Sequence, residues 1–304
     1  MLRFWPFRRK PDRADISASG DVPRRRLFGR EYTAGIPYAL PSDLGEMNRL
    51  DFQHFVLRQA FKGNYAAPLH APSSILDVGC GTGRWAKEMA LIFPGANVVG
   101  LDIKEPVTDE QGQSSTSTPD LLPENYRFVS GNILEGLPFP DASFDFVHQR
   151  LLFFAIPGDR WQFVINELCR VTRPGGWVEV VEGHYGYDPM GPAAQYIADA
   201  MLPAMQKRGI DPRNSANLGQ FLQQAGLQQV QQRMVKLPVG DWGGRLGKLV
   251  AVDVETFIQS SKPLLLAQGM SESDVTQLGE TMRQECERLH YTWPFYIVYG
   301  QRPG

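Results

Sequence analysis

The sequence predicts an α/β fold: a mostly parallel sheet with helices on both faces and extra helices towards its carboxyl-terminal side. Three observations predict it. Short apolar runs bounded by turn residues alternate with stretches of helical spacing between residues 75 and 181, the pattern of strands that return through crossover helices. The first run opens directly into a glycine-rich turn, Gly79-Cys80-Gly81-Thr82-Gly83, and then into helical spacing. The 304 residues, 42% hydrophobic and 21% charged, have the composition of an ordinary globular protein with room for one large domain and additions.

The elements follow in order. Residues 1–26 lack sustained periodicity and are rich in Arg, Asp, Ser and Pro, so they read as a flexible basic arm. In the segment 27–70, Pro41-Ser42-Asp43 starts a helix that runs to Lys62 and stops at Gly63, with Leu44, Met47, Leu50, Phe55, Leu57 and Phe61 as its apolar face. The core, 71–185, holds strands at Ile75–Val78, Asn97–Leu101, Arg127–Ser130, Phe144–His148 and Trp177–Val181, and helices at Arg84–Phe93 and Asp159–Thr172. The helix expected after the second strand is absent; residues 104–125 form a polar loop instead. Residues 186–304 complete the sheet. Helices at Ala193–Lys207 and Leu218–Ala225 precede a strand at Val230–Leu237, and a helical insert near 246–267 and 272–289 separates that strand from a last one at Tyr296–Tyr299. The total is seven strands with a helical cap.

Composition excludes several classes. Cys80, Cys169 and Cys286 are few and far apart, with neither a disulfide framework nor a metal-ligand spacing, so no metal is expected. No apolar run approaches the length that spans a bilayer, and Met1–Phe7 is too short for a secretory leader, so a cytoplasmic location is expected. The net charge of -2 hides an asymmetry: residues 1–30 carry nine Lys/Arg against three Asp, leaving about -8 on the rest. An acidic body argues against duplex nucleic acid as a partner.

The glycine-rich turn carries the chemistry. In such a sheet the ligand lies beyond the carboxyl ends of the strands, beside the first one. Gly79, Gly81 and Gly83 let the backbone turn sharply and approach a ligand closely. A dinucleotide loop would want a small residue where Arg84 stands and would avoid Asp77, whose carboxylate would oppose a pyrophosphate; a phosphate-binding loop would need Gly-Lys-Ser/Thr. S-adenosylmethionine has no phosphate and carries an ammonium and a sulfonium, for which Asp77 is an asset. Asp102, ending the second strand, is the expected acceptor for both ribose hydroxyls, with Ile103 against the adenine.

Ile75–Ala86, Gly131-Asn132-Ile133-Leu134, Leu137–Asp141, Ser143–Val147 and Arg173–Trp177 together resemble the motif series of the class I S-adenosylmethionine-dependent methyltransferases over residues 70–185. The resemblance implies a Rossmann-like sheet of seven strands, one of them antiparallel. It also implies adenine-edge contacts from Asn132 and Ile133, a loop contact from Cys80, and a contact from Gln149 to the methionine part. Many members have Asp where this chain has Asn132; the amide oxygen keeps an acceptor there. Tyr38–Asp43, Glu46, Arg49-Leu50-Asp51, Gln53-His54, Trp85 and Pro238–Arg245 are similar to the LaeA-like branch, which includes fungal regulators of secondary metabolism.

Methyl transfer requires alignment of the nucleophile and exclusion of water, and a base only where the acceptor arrives protonated. His184 and Tyr185, just after the fifth strand, are the candidate catalytic residues; His54, Arg150 and Trp242 are candidates for the acceptor. His148 reads as a hydrogen-bonded core residue. The function expected is methyl transfer to O, N or C of a small or medium-sized molecule. A protein or RNA acceptor, and a regulator that binds the cofactor without turnover, remain alternatives. The acceptor and the oligomeric state stay open.

Overall fold

A computed structural model of the chain describes residues 24–105, apart from 28, 34, 36 and 39, and residues 122–304. Most of the expected arm (1–23) and of the expected polar loop (106–121) lie outside the described residues. Residues 24–26, read as the end of the arm, belong instead to a short hairpin: β1 (Arg24–Leu27) pairs antiparallel with β2 (Arg30–Thr33).

Seven further strands form one sheet: β3 (Ser74–Val78), β4 (Asn97–Asp102), β5 (Tyr126–Ser130), β6 (Phe144–Arg150), β7 (Thr172–Gly183), β8 (Gln228–Pro238) and β9 (Thr292–Gln301). Their order is β5-β4-β3-β6-β7-β9-β8. β9 runs antiparallel to both of its neighbours and every other pairing among β3 to β7 is parallel. The seven strands read from the sequence are all present, with the single reversed strand that the resemblance implies.

Seven helices cover this sheet: α1 (Leu44–Phe61), α2 (Arg84–Ile92), α3 (Trp161–Val171), α4 (Pro192–Gln206), α5 (Leu218–Gln224), α6 (Gly244–Ala267) and α7 (Glu272–Leu289). Strand side chains alternate between two faces. Leu76, Val78, Val147, Val178, Val180 and Val298 point to the face covered by α3 and α5, where Trp161, Leu168, Leu218 and Leu222 meet them. Ile75 and Phe146 face α2, whose Trp85, Ala86 and Met89 close that side. Farther along the same face, Val181, Phe295 and Ile297 pack under α1, α4, α6 and α7 through Val56, Ile197, Met201, Val250, Val254 and Met282. No helix among the described residues is long and apolar enough to cross a membrane.

The start of α1 is as read: Asp43 accepts from the Glu46 amide (3.1 Å) and holds Arg30 through two hydrogen bonds, which ties the hairpin to the helix. At its end Lys62, not Gly63, adopts the left-handed turn (φ 61). Its expected apolar face is corrected more deeply. Leu44 and Phe55 are exposed, while Glu46, Arg49, Gln53 and His54 are buried. α1 lies across the carboxyl end of the sheet and against α6, so the side it buries meets a polar cavity and the acidic Asp253 rather than an oily core.

Candidate cofactor site

Beyond the carboxyl ends of β3 to β6, beneath α1, lies an open cavity of about 1410 Å³, its solvent-exposed mouth included. Its floor follows the strand order. Asn132, Ile133 and Leu134 come from the turn after β5; Asp102, Ile103 and Lys104 end β4; Asp77, Gly79, Cys80, Gly81 and Thr82 end β3; His148, Arg150, Leu151 and Leu152 end β6. Tyr38, Glu46, Met47, Leu50, Gln53 and His54 roof it. The Thr82 hydroxyl donates to Asp51 of α1, fastening roof to loop.

The glycine turn is held from within. The Gly79 and Cys80 amides both donate to the Leu101 carbonyl (2.7 and 3.0 Å), Gly81 donates to Asp102 Oδ2 (2.8 Å) and Gly83 to Cys80 O (2.9 Å). These donors are therefore not turned outwards to cradle a phosphate, and the turn instead offers its closely packed backbone to a ligand. Gly79 sits at φ 69, and a Cβ there would run into Leu152. That is a physical reason for glycine at this position. Gly83 caps α2 at φ 72, under the Tyr126 hydroxyl, and lies outside the cavity lining. Burial pushes the Cys80 thiol up, so this cysteine is a packed thiol rather than a nucleophile.

Asp102 is held by two backbone amides, Gly81 to Oδ2 and Ile103 to Oδ1 (2.7 Å), against a burial that pushes its carboxyl up. Each oxygen keeps a further lone pair, as a ribose diol requires. The Asn132 amide oxygen already caps the turn that follows, accepting from Leu134 N (3.1 Å) while its nitrogen donates to Glu135 (2.9 Å); one acceptor position remains for an adenine amino group. Ile103 and Ile133 line the same end.

At the opposite end the register pairs Asp77 with His148 and His148 with Glu179, so three ionisable side chains share one buried row across β3, β6 and β7. His148 Nδ1 lies 2.9 Å from Asp77 Oδ1, and with a carboxylate as acceptor the proton belongs on Nδ1. Trp85 stacks flat on His148, 3.8 Å between ring centres at 5°. Glu179 accepts from the amides of Ala66 and Ala67 (2.7 Å each). His148, read from sequence as a core residue, is both buried and part of the lining.

Several sequence candidates stand elsewhere. Gln149 points to the opposite face of the sheet, where it is wholly buried and donates to Glu182 (2.6 Å). The alternation that brings His148 and Arg150 into the cavity takes Gln149 out of it. The Tyr185 hydroxyl donates to Ala198 O, its ring packs beside Phe153, and it does not line the cavity. His184 is likewise absent from the lining; its amide donates to Pro294 O (2.8 Å) and its carbonyl accepts from Trp293. Trp242 donates to Val239 O (2.8 Å) and stacks on His290, a loop anchor far from the cavity. His54 and Arg150 do reach the cavity and touch each other, Arg150 Nη2 donating to His54 Nδ1 at 2.9 Å.

Residues 75–176 match the family described as a methyltransferase domain. Over 299 residues the chain is 30% identical to methyltransferase pytC of Aspergillus terreus, covering 92% of this chain and 86% of that one. It is 25% identical to N-methyltransferase gliN of Aspergillus fumigatus (88% and 96% covered) and 28% identical to the secondary metabolism regulator laeA of Coprinopsis cinerea (88% and 72%). Among solved structures, a Haemonchus contortus phosphoethanolamine N-methyltransferase 2 in complex with S-adenosyl-L-methionine aligns with a TM-score of 0.49 at 16% identity, covering 84% of this chain and 52% of that one.

Proposed function

From the premise that this chain belongs to the S-adenosylmethionine-dependent methyltransferases, we propose that it methylates a small or medium-sized molecule at O, N or C beneath α1. One observation carries the acceptor class: α1 closes over the glycine turn, so an acceptor has to fit between that roof and the cofactor. The acidic body supports the same reading against a nucleic-acid acceptor. So do relatives named as N-methyltransferases.

Asp77, Gly79, Cys80, Gly81, Asp102, Ile103, Asn132 and Ile133 are the residues that would hold the cofactor. The fit rests on the internally satisfied turn, the contact a Gly79 side chain would make, and the spare lone pairs of Asp102. When bound, the cofactor supplies a methyl carbon activated by its sulfonium for in-line displacement. The chain contributes a fixed floor, a roof that excludes water and orientation of the acceptor. Should the acceptor arrive protonated, Glu46 is the carboxylate available. Both Arg49 contacts fall on its Oε1 (2.9 and 2.6 Å), leaving Oε2 without a hydrogen bond among the described residues, on a side chain that lines the cavity. Residence in a reducing cytoplasmic compartment belongs to this reading and is supported by three unpaired thiols.

Incubation with methyl-labelled S-adenosylmethionine and host extract tests the proposal. Label in the low-mass fraction is expected; label confined to protein or tRNA would overturn the acceptor class, and cofactor binding with no transfer to any fraction would favour a regulator.

A further inference from the structure

We propose that the inner end of the cavity is a clamp for the zwitterionic amino-acid end of S-adenosylmethionine: Arg150, held by His54, takes the carboxylate, and Asp77, held by His148, takes the ammonium. The proposal rests on the cofactor assignment and moves Arg150 and His54 from the acceptor to the donor.

The sheet order sets the direction. The groups suited to adenine and ribose, Asn132, Ile133 and Asp102, end β5 and β4 at one side of the cavity. A ligand laid across the strand ends from there brings its amino-acid end to β3 and β6. Asp77 and Arg150 stand there on one face of the sheet, since Asp77 pairs with His148 and Arg150 is the next residue of β6 on that face. They are opposite in charge, both line the cavity, and they are not paired with each other. An α-amino acid carries its two charges on one carbon, so it needs two opposed side chains set this closely.

Neither charge is satisfied by the protein alone. Among the described residues, Arg150 has His54 as its one hydrogen-bond partner, a ring nitrogen and not a carboxylate. Burial depresses its pKa, against the pull of Asp77 and Glu88. A buried guanidinium without a carboxylate is expensive, and its planar fork matches a carboxylate in geometry. Asp77 uses Oδ1 on His148, and no hydrogen bond within the protein is made by Oδ2 among the described residues.

The two histidines act as braces whose protonation is dictated by their partners. A guanidinium only donates, so His54 Nδ1 accepts and its proton lies on Nε2. Nε2 faces Glu88 Oε2 at 3.2 Å, in a contact too bent for a good hydrogen bond. Glu88 is itself held by Asn64 Nδ2 (3.1 Å) and Arg58 (3.2 Å). On the other side, Trp85 fixes the His148 ring by stacking and donates its Nε1 to Asn64 O (2.7 Å). Both braces therefore converge on Asn64.

Calorimetry with three ligands tests the clamp: S-adenosylmethionine, its decarboxylated analogue (ammonium but no carboxylate), and methylthioadenosine (neither). The wild-type protein should bind S-adenosylmethionine about 10–100-fold more tightly than the decarboxylated analogue, the range of a charge-assisted contact. Arg150→Met should abolish that preference while leaving methylthioadenosine within about twofold, which also reports an intact fold. Asp77→Asn should weaken both amine-bearing ligands and spare methylthioadenosine. His148→Leu should follow Asp77→Asn, and His148→Asn, whose amide can replace the Nδ1–H donor, should restore part of the loss. The clamp is overturned if the wild type does not distinguish S-adenosylmethionine from the decarboxylated analogue, or if Arg150→Met weakens methylthioadenosine equally. Failure of the wild type to bind any of the three would overturn the cofactor assignment, and the clamp with it.

Discussion

The floor and the roof of the cavity both bury charged side chains, yet they dispose of them in opposite ways. On the floor, Asp77, Asp102 and Arg150 are held by neutral groups, a histidine ring or backbone amides, and keep capacity for a ligand. Under the roof, charges face one another. Arg49 holds Glu46 and lies 3.8 Å from Asp253 Oδ1, while Gln53 donates to Asp253 Oδ2 (3.1 Å). Burial pushes the Asp253 carboxyl up to about 6, Arg49 and Gln53 restraining it. The difference teaches that floor charges serve recognition and roof charges dock a helix. Substitution should therefore cost binding in the first region and folding in the second.

The largest expected effect breaks the roof. Arg49→Met leaves Glu46 and Asp253 buried without their cation and should destabilise the fold by about 3–5 kcal/mol. Denaturant unfolding measures it, and a loss below about 1 kcal/mol would show that the network is not what docks α1 on α6. Next, Asp102→Ala on the floor should weaken S-adenosylhomocysteine binding by about 1.5–3 kcal/mol, with a smaller change in unfolding midpoint. Calorimetry and thermal melts on the same samples decide between the two; the reverse ranking would erase the contrast between the regions.

Acid sharpens it where roof and floor meet. Burial holds His54 below its ordinary 6.5, so the unfolded chain takes a proton that the native state resists, and stability falls as pH drops through 6.5. Burial pushes Glu88 up, but His54, Asn64 and Arg58 outweigh it and hold the carboxyl at about 2. Its stabilisation is present above about 4.5 and is lost as pH falls towards 2. Both act in one direction, so the melting temperature should fall steadily from pH 7 to pH 4. His54→Asn should flatten the upper part of that fall; an unchanged profile would count against the burial of a neutral ring. The smallest effect lies outside both regions. Tyr185→Phe removes one hydrogen bond, to Ala198 O, and should cost about 1 kcal/mol of stability with no change in the rate of methyl transfer. A hundredfold loss of rate would return Tyr185 to catalysis.

The sequence by itself determined the fold and the donor. The glycine turn, Asp77 before it, Arg84 after it and Asp102 at the next strand end act over short stretches of chain, where spacing and backbone chemistry are written locally. The alternation of apolar runs located seven strands and seven helices, because burial on both faces leaves the same periodicity wherever it occurs. The hairpin at residues 24–33 left no such signature, being two short strands without an apolar alternation.

Only the tertiary structure decided which side chains meet. That His148 and Arg150 face the cavity and Gln149 does not depends on lateral register, and a shift of one residue would exchange them. His184, Tyr185 and Trp242 looked available at a strand end or in a loop, but their partners, Pro294, Trp293, Ala198 and Val239, arrive from other elements. The buried face of α1 is polar because Asp253, about 200 residues along the chain, docks against it. A helical stripe records how much a residue is buried on average over many proteins, whereas what it is buried against is fixed by long-range packing.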